Sequence, residues 1–405
     1  MGFQLTFDIW KFSSFRKLFF AGFLTSISRW FEFLTFSILS WKLTGNTAIV
    51  GYIMTARFLS LAFTGLYFSA NGSRFSGQNV MVFFTGICSI FSFLVFISFY
   101  NDIQYKLIGL FLISGLSGSL WSVDFSFRRR MLGDSLPDYL ISSGVSIDVL
   151  STHATRLIGP FAGGLFLAYS KPDFIFLFLS ILYFFSTLVL LFEKDKNILS
   201  NEKKSSLELF SKVIFEVSKS SALITVIVLT PLFNIFALPF LSLIGILIIE
   251  KFSINSFFTG IIVSVEGLGA FIGGVIISAF PPKSKEILFC LTLLLLFLFI
   301  SLIAISNNVL LLIFLLFFAG IVTSSYSALQ SSIIYLYSTP SLRSSTFSLL
   351  TIAIGSGSIG TLNISMMSNN FSTQELTLIM GLEGIGFFMI VTFFLIIKYK
   401  IFRKI

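Results

Sequence analysis

Ser146-Ile-Asp-Val-Leu-Ser-Thr-His-Ala-Thr-Arg-Leu-Ile-Gly-Pro-Phe-Ala-Gly-Gly-Leu-Phe-Leu-Ala-Tyr-Ser170 is the stretch that decides how the chain is read. It is long and apolar enough to cross a bilayer as a helix. It also carries Asp148, the only histidine of the protein (His153), Arg156, and the run Gly159-Pro160-Phe-Ala-Gly163-Gly164. Ionisable groups at membrane depth are costly and mark functional pathways by default. Small residues let a neighbouring helix backbone come close. Asp148, Thr152 and Arg156 recur every fourth residue and share one face. Pro160 removes a backbone hydrogen bond, which with the glycines predicts a hinge and a bare contact flank.

The rest of the chain has the same character. Of its 405 residues, 56% are hydrophobic and 11% charged, and the mean hydropathy is +0.97. A water-soluble domain cannot hide that much apolar surface, so the class is an all-α polytopic membrane protein. Twelve spans are predicted, at about 18–41, 48–69, 80–100, 107–127, 140–169, 174–192, 222–249, 257–280, 287–305, 309–336, 346–368 and 377–399. The segment 193–221 is rich in Ser and Lys and divides six spans from six. The expected domains are a six-helix bundle over 1–192, a cytoplasmic linker over 193–221 with an amphipathic helix near 207–217, and a second six-helix bundle over 222–405.

Basic residues set the orientation. Lys11, Arg16, Lys17, Arg74, Arg128 to Arg130, the linker lysines, Lys283, Lys285, Arg343 and the C-terminal tail fall on one side. Lys42, Lys106, Lys171 and Lys251 fall on the other. Both termini are therefore expected to be cytoplasmic, and the net charge of +9 reads as this inside bias rather than as affinity for nucleic acid. The arginine triplet reads as a topology anchor. Cys88 and Cys290 sit in apolar runs and imply neither a disulfide nor a metal site.

The two halves echo each other. Residues 51–70 lie over 260–279 without gaps, with six of twenty positions identical, and the register places Arg57 of the second span on Glu266 of the eighth. Two readings follow for these charges: they pair across the halves as a lock, or each faces a wet cavity. In the first span Arg29 and Glu32 stand three residues apart. They are either a self-neutralising pair or a proton-binding acid with an arginine beside it. Trp30 and Phe33 flank them. Asp124 and Arg128, four apart at the end of the fourth span, are placed to pair. His153 reads either as a proton carrier or as a hydrogen-bonding packing residue. Glu383 of the twelfth span is a further membrane acid and ranks below Glu32 and Glu266. The sequence contains no nucleophile–base pattern, no phosphate-cradling loop and no metal-ligand cluster, so no enzyme activity and no cofactor is implied. Coupling to a proton or ion gradient is what remains.

With these features the chain resembles the major facilitator superfamily, and within it the bacterial branch of the enterobactin exporter and drug–proton antiporters. The likeness rests on Phe15-Arg-Lys-Leu-Phe19, Leu43-Thr-Gly-Asn46, Ala56-Arg-Phe-Leu59, Arg156-Leu-Ile-Gly-Pro-Phe-Ala-Gly-Gly164 and Ser338-Thr-Pro-Ser-Leu-Arg343. There are departures. Ser146 and Thr155 replace two glycines of the fifth-span motif. After the second span Arg74 keeps the basic position of a gating loop whose aspartate is here Ser73. Arg29 stands where the branch often has aspartate.

The resemblance implies two pseudo-symmetric six-helix bundles that alternate access to a central cavity. Spans 1, 4, 7 and 10 would line it, which adds Asn234, Tyr326 and Gln330 to Trp30 and Phe33 as cavity residues. The expected function is proton-coupled efflux of a small amphiphilic molecule by a monomeric, multi-pass protein of the bacterial inner membrane. Glu32, Glu266, Asp148 and His153 are the candidate proton carriers. Arg29, Arg57, Asp124, Arg156 and Arg74 are the candidate counter-charge and gating residues. Uptake or lysolipid translocation by the same fold, and a receptor that keeps the fold without transport, are the alternatives.

Overall fold

In the computed structural model the described residues are 8–71, 74–98, 103–193, 206–280, 282–339 and 342–399. Ser73 of the gating loop, the linker residues 194–205, Pro340 and Ser341 of the loop motif, and the tail from 400 lie outside them. The described residues form twelve helical segments of membrane length and no strand. They are α1 (Ser13–Thr44), α2 (Thr47–Asn71), α3 (Gly77–Ser98), α4 (Ile103–Val123, continued to Asp134), α5 (Asp138–Tyr169) and α6 (Asp173–Leu191). The second set is α7 (Ser221–Leu232, continued by Phe240–Phe252), α8 (Ser256–Ala279), α9 (Lys285–Ile305), α10 (Val309–Tyr337), α11 (Arg343–Gly355 then Gly357–Met367) and α12 (Thr373–Tyr399). A separate linker helix runs over Ser206–Lys219.

Ten of these segments are long and apolar enough to cross a membrane by length and composition. The remaining two, α1 and α5, are 32 residues each and ample in length. They miss on composition because they hold Arg29 with Glu32 and Asp148 with Arg156, beside many hydroxyls. The hydroxyls are inexpensive inside the membrane because each can bond a carbonyl one turn back, as Thr35 does to Phe31 and Thr323 to Ala319. Helix ends are capped locally. Gly45, in the left-handed region at φ 64°, closes α1 onto the Trp41 carbonyl. Asn255 and Asn308 cap the first turns of α8 and α10 with their side-chain oxygens.

Two π-helical turns interrupt the spans, Asp124–Arg128 in α4 and Phe233–Ala237 in α7. The second has a visible cause. Pro239 has no N–H for the Ile235 carbonyl, and the Leu238 N–H bonds back to Phe233 instead. Gly360 of α11 packs directly on that Ile235 carbonyl, where a Cβ would have no room.

The buried apolar side chains form two main clusters, one from α1–α6 and one from α7–α12 with Val213 and Val217 of the linker helix. Each cluster takes a little from the other half: Leu34 and Ile38 of α1 join the second, and Leu238 of α7 joins the first. The halves meet along two long seams, α5 with α8 and α2 with α11, and more briefly where α1 meets the second part of α7.

Candidate functional site

Glycines set how closely the helices approach the site. On the α5/α8 seam, Gly267 lies against the backbone of Arg156, leaving no space for a Cβ. Gly320 of α10 presses in the same way on the Glu266 carbonyl. Nearer the lysine-poor end, Gly164 and Gly260 face each other backbone to backbone, with a built Cβ on Gly164 only 2.7 Å from the Gly260 Cα. The approach at Gly267 puts the Arg156 guanidinium beside the Glu266 carboxylate.

The result is a two-pronged ion pair between the halves. Arg156 Nε donates to Glu266 Oε2 at 2.6 Å, and Nη2 donates to Oε1 at 2.5 Å. The guanidinium carbon lies 4.6 Å from the centre of the Trp30 ring. Beside the pair is a cavity of about 20 Å³, lined by Trp30, Phe33, Leu34, Pro160, Leu241 and Val263 together with the two charged residues. That is room for about one water molecule. Trp30 Nε1 is buried with no hydrogen-bond partner among the described residues.

A second pair lies wholly within the first six helices. Arg57 of α2 donates to Glu32 of α1 at 2.5 Å, and Tyr183 of α6 donates to the other oxygen of Glu32 at 2.7 Å. Arg57 and Glu32 are 1% and 0% exposed, and the Phe33 ring lies 4.9 Å under the guanidinium carbon.

A third group joins α1, α4 and α5. Arg128 bonds both oxygens of Asp124, and bonds both oxygens of Asp148 at 2.7 and 3.2 Å. Gly22 lets the Arg128 guanidinium pass α1, since a Cβ there would occupy its place. Arg29 reaches the same Asp124 at 3.5 Å.

Several expectations are corrected by this geometry. Arg57 and Glu266 do not meet: each finds a partner on another helix, Glu32 and Arg156 respectively. The cause is supply. Helices α7–α12 have no Lys or Arg at mid-span, so Glu266 can only reach across, whereas Arg57 has an acid inside its own bundle. Arg29 and Glu32 do not neutralise each other, because Arg29 turns to Asp124. The shared face of Asp148 and Arg156 splits between two neighbours, α4 and α8. His153 joins none of these groups and packs on Gly274 of α8, where a built Cβ would be 3.2 Å from its ring.

Gly159 and Gly163 pack on α1 of their own half, and only Gly164 faces the other half. Pro160 sits in a helix that continues unbroken through it. Asn234, Tyr326 and Gln330 do not face an open cavity. Asn234 bonds the Thr230 carbonyl, Gln330 bonds the Thr230 hydroxyl, and Tyr326 stacks between Phe233 and Phe289 at 4.6 Å from each. Arg74 bonds Asn71 at 3.2 Å on the surface. Glu383 is half-buried, with one oxygen unpartnered among the described residues. Sequence reasoning missed Tyr183, which stands in the sixth span beside Ser180, Ser186 and Thr187 with no ionisable neighbour along the chain to single it out.

No curated protein matches the sequence. Solved transporter structures match over nearly the whole chain. A POT family transporter in complex with 5-aminolevulinic acid is 15% identical with a TM-score of 0.69, covering 94% of this chain and 95% of its own. The nucleoside transporter NupG is 14% identical with a TM-score of 0.67, covering 96% and 99%. A bacterial homolog of the human lysosomal transporter Spinster, inward-facing and unoccupied, is 14% identical with a TM-score of 0.64, covering 95% and 94%. At these identities the likeness establishes the fold. The family profile described as Major Facilitator Superfamily matches residues 18–361. With the twelve helices in two sets of six, this makes the chain a member of the Major Facilitator Superfamily, whose solved relatives are membrane transporters and not enzymes.

Proposed function

We propose that the protein is a secondary active exporter of a small amphiphilic molecule, driven by proton entry, in the exporter branch that the fifth-span motif resembles. The observation that carries this reading is the Arg156–Glu266 pair. It lies near the middle of α5 and α8, spans their seam, and has a cavity for about one water molecule at its side. A lone carboxylate in a low-dielectric site is costly, and taking up a proton removes that cost. When the halves part along this seam, Glu266 loses its counter-charge and accepts a proton. When they close again, Arg156 returns and the proton leaves. Glu266 is thus the coupling acid, Arg156 its switch, and Trp30 the ring on which the guanidinium rests. Glu32, held by Arg57 and Tyr183 inside one bundle, keeps that bundle rigid as it rocks.

The bundles divide as 1–192 and 222–405, joined by the cytoplasmic linker 193–221. Both termini face the cytoplasm of a bacterial inner membrane, and the monomer is the working unit. Closure lies at the lysine-poor end in the described state. The Gly164–Gly260 approach, the contact of Gly245 with Leu34 and Ile38, and the Lys42 ammonium donating to the Ser256 hydroxyl at 2.7 Å support this. The test is proton flux in reconstituted vesicles challenged with a panel of amphiphiles. A substrate-dependent proton flux that Glu266→Gln abolishes is the expected result. A panel that moves no protons, with Glu266→Gln and Glu32→Gln both silent, would sink the antiport reading.

A further inference from the structure

We propose that the end of α4, with Arg29 of α1, forms a binding site for an anionic headgroup, a carboxylate or phosphate. This deepens the export reading and rests on it: it names the charge of the amphiphile.

Donors outnumber acceptors in the third charged group. Its acids are Asp124 and Asp148. Arg128 engages both oxygens of each. Two further guanidinium groups lie at the same place with no acid of their own. Arg29, 6% exposed, touches Asp124 only at 3.5 Å and through one nitrogen. Arg129 makes no ion pair among the described residues, and its Nε is buried without a hydrogen-bond partner. Three cations thus share two anions, which leaves a unit positive charge and a buried Arg129 Nε–H without a partner among the described residues. A guanidinium has five donors and no acceptor, so only an added acceptor can satisfy it.

The two spare cations are held in parallel fashion. The Arg29 guanidinium carbon stands 4.8 Å from the Trp121 ring centre, and that of Arg129 stands 4.0 Å from the Phe125 ring centre. Trp121 and Phe125 are one turn apart on one helix face, with ring centres separated by 6.4 Å. Both rings are half-exposed. Trp121 Nε1 is a second buried donor without a partner among the described residues. A planar fork fixed on an aromatic face suits two-pronged recognition of carboxylate or phosphate. A topology anchor would need only charge near the membrane surface. It would not need two guanidinium groups laid on aromatic rings beside the buried, unspent donors Arg129 Nε and Trp121 Nε1.

The experiment uses the full-length protein in phosphatidylcholine nanodiscs, titrated calorimetrically with decyl phosphate and with decyltrimethylammonium. Decyl phosphate is expected to bind at least about tenfold more tightly, and Arg29→Gln and Arg129→Gln each to weaken it about tenfold. Arg29→Lys, which keeps the charge where a neutral side chain disturbs folding, should lose less. Lys212→Gln, an equal change of net charge on the linker helix, should lose nothing. Equal affinity for the two probes, or decyl phosphate binding unaffected by Arg129→Gln and by both Arg29 variants, overturns the proposal. Repeating the titration with phosphatidylglycerol in the disc identifies the source. Competition assigns the site to a membrane-lipid headgroup as well, and unchanged affinity assigns it to the free amphiphile; either result keeps the anion site. Selective binding with no flux of any probe would sink the export reading alone. Flux of the cationic probe without selective binding would sink the site alone.

Discussion

The two seams between the halves are built on one plan and differ in one respect. Along α5/α8 and along α2/α11, glycines carry the closest approaches: Gly164 on Gly260 in the first, Gly51 on Thr361 and Ser365 in the second. Each seam also has a polar contact between the halves. In α5/α8 it is the two-pronged Arg156–Glu266 pair, and in α2/α11 it is a hydroxyl contact of 2.8 Å between Thr55 and Thr361. The internal repeat places Arg57 of α2 in register with Glu266 of α8, so both seams have a charged residue at that point. Only Glu266 turns into its seam. Arg57 turns into its own bundle, where Glu32 receives it and Tyr183 donates to the other oxygen of Glu32. A charge therefore crosses between halves only where its own half offers no counter-charge. One seam becomes an electrostatic contact that can be switched, and the other a sliding surface of hydroxyls and glycines.

The sharpest way to break this comparison is to remove the partner that keeps Arg57's bundle neutral. Arg57→Leu leaves Glu32 buried and unpaired. It should cost about 3–5 kcal/mol, seen as a large drop in the thermal midpoint of the detergent-solubilised protein, and the double change with Glu32→Leu should recover most of it. Next in size is Glu266→Gln. Transport in vesicles should fall about tenfold or more. The loss of stability should be smaller than for Arg57→Leu, because Arg156 keeps the Trp30 face and a neighbouring cavity for water. If Glu266→Gln unfolds the protein as readily as Arg57→Leu does, the seam pair is a structural brace.

Gly164→Val tests the plan that the seams share. A side chain there has to push α8 away, so flux should fall about threefold to tenfold, and a disulfide engineered across the lysine-poor end should form more slowly than in the parent. The smallest effect is expected at Thr55→Val. It removes one hydroxyl contact, costs about 1 kcal/mol and leaves flux unchanged, since no charge depends on it.

Much of the fold was legible in the chain itself. Apolar runs of membrane length set the twelve spans, and the observed helices agree with them to within a few residues at most ends because backbone groups in lipid can be satisfied only inside such helices. The end of the fourth span is the exception. There the π turn at Asp124–Arg128 carries the helix on to Asp134, beyond the apolar run, because Arg128 is neutralised by two aspartates. The residues of the charged groups were also legible, since an ionisable side chain in an apolar run stands out without any structure.

What the sequence determined by itself was therefore which residues are costly in a membrane and roughly how deep they lie, because hydropathy and charge are properties of single residues and their neighbours along the chain. Only the tertiary structure decided who pairs with whom. Glu32 with Arg57, Glu266 with Arg156, and Arg128 between Asp124 and Asp148 depend on where glycines let one helix pass another and on which bundle holds a spare counter-charge. Those are relations between distant segments, and the residue spacing along any one helix does not contain them.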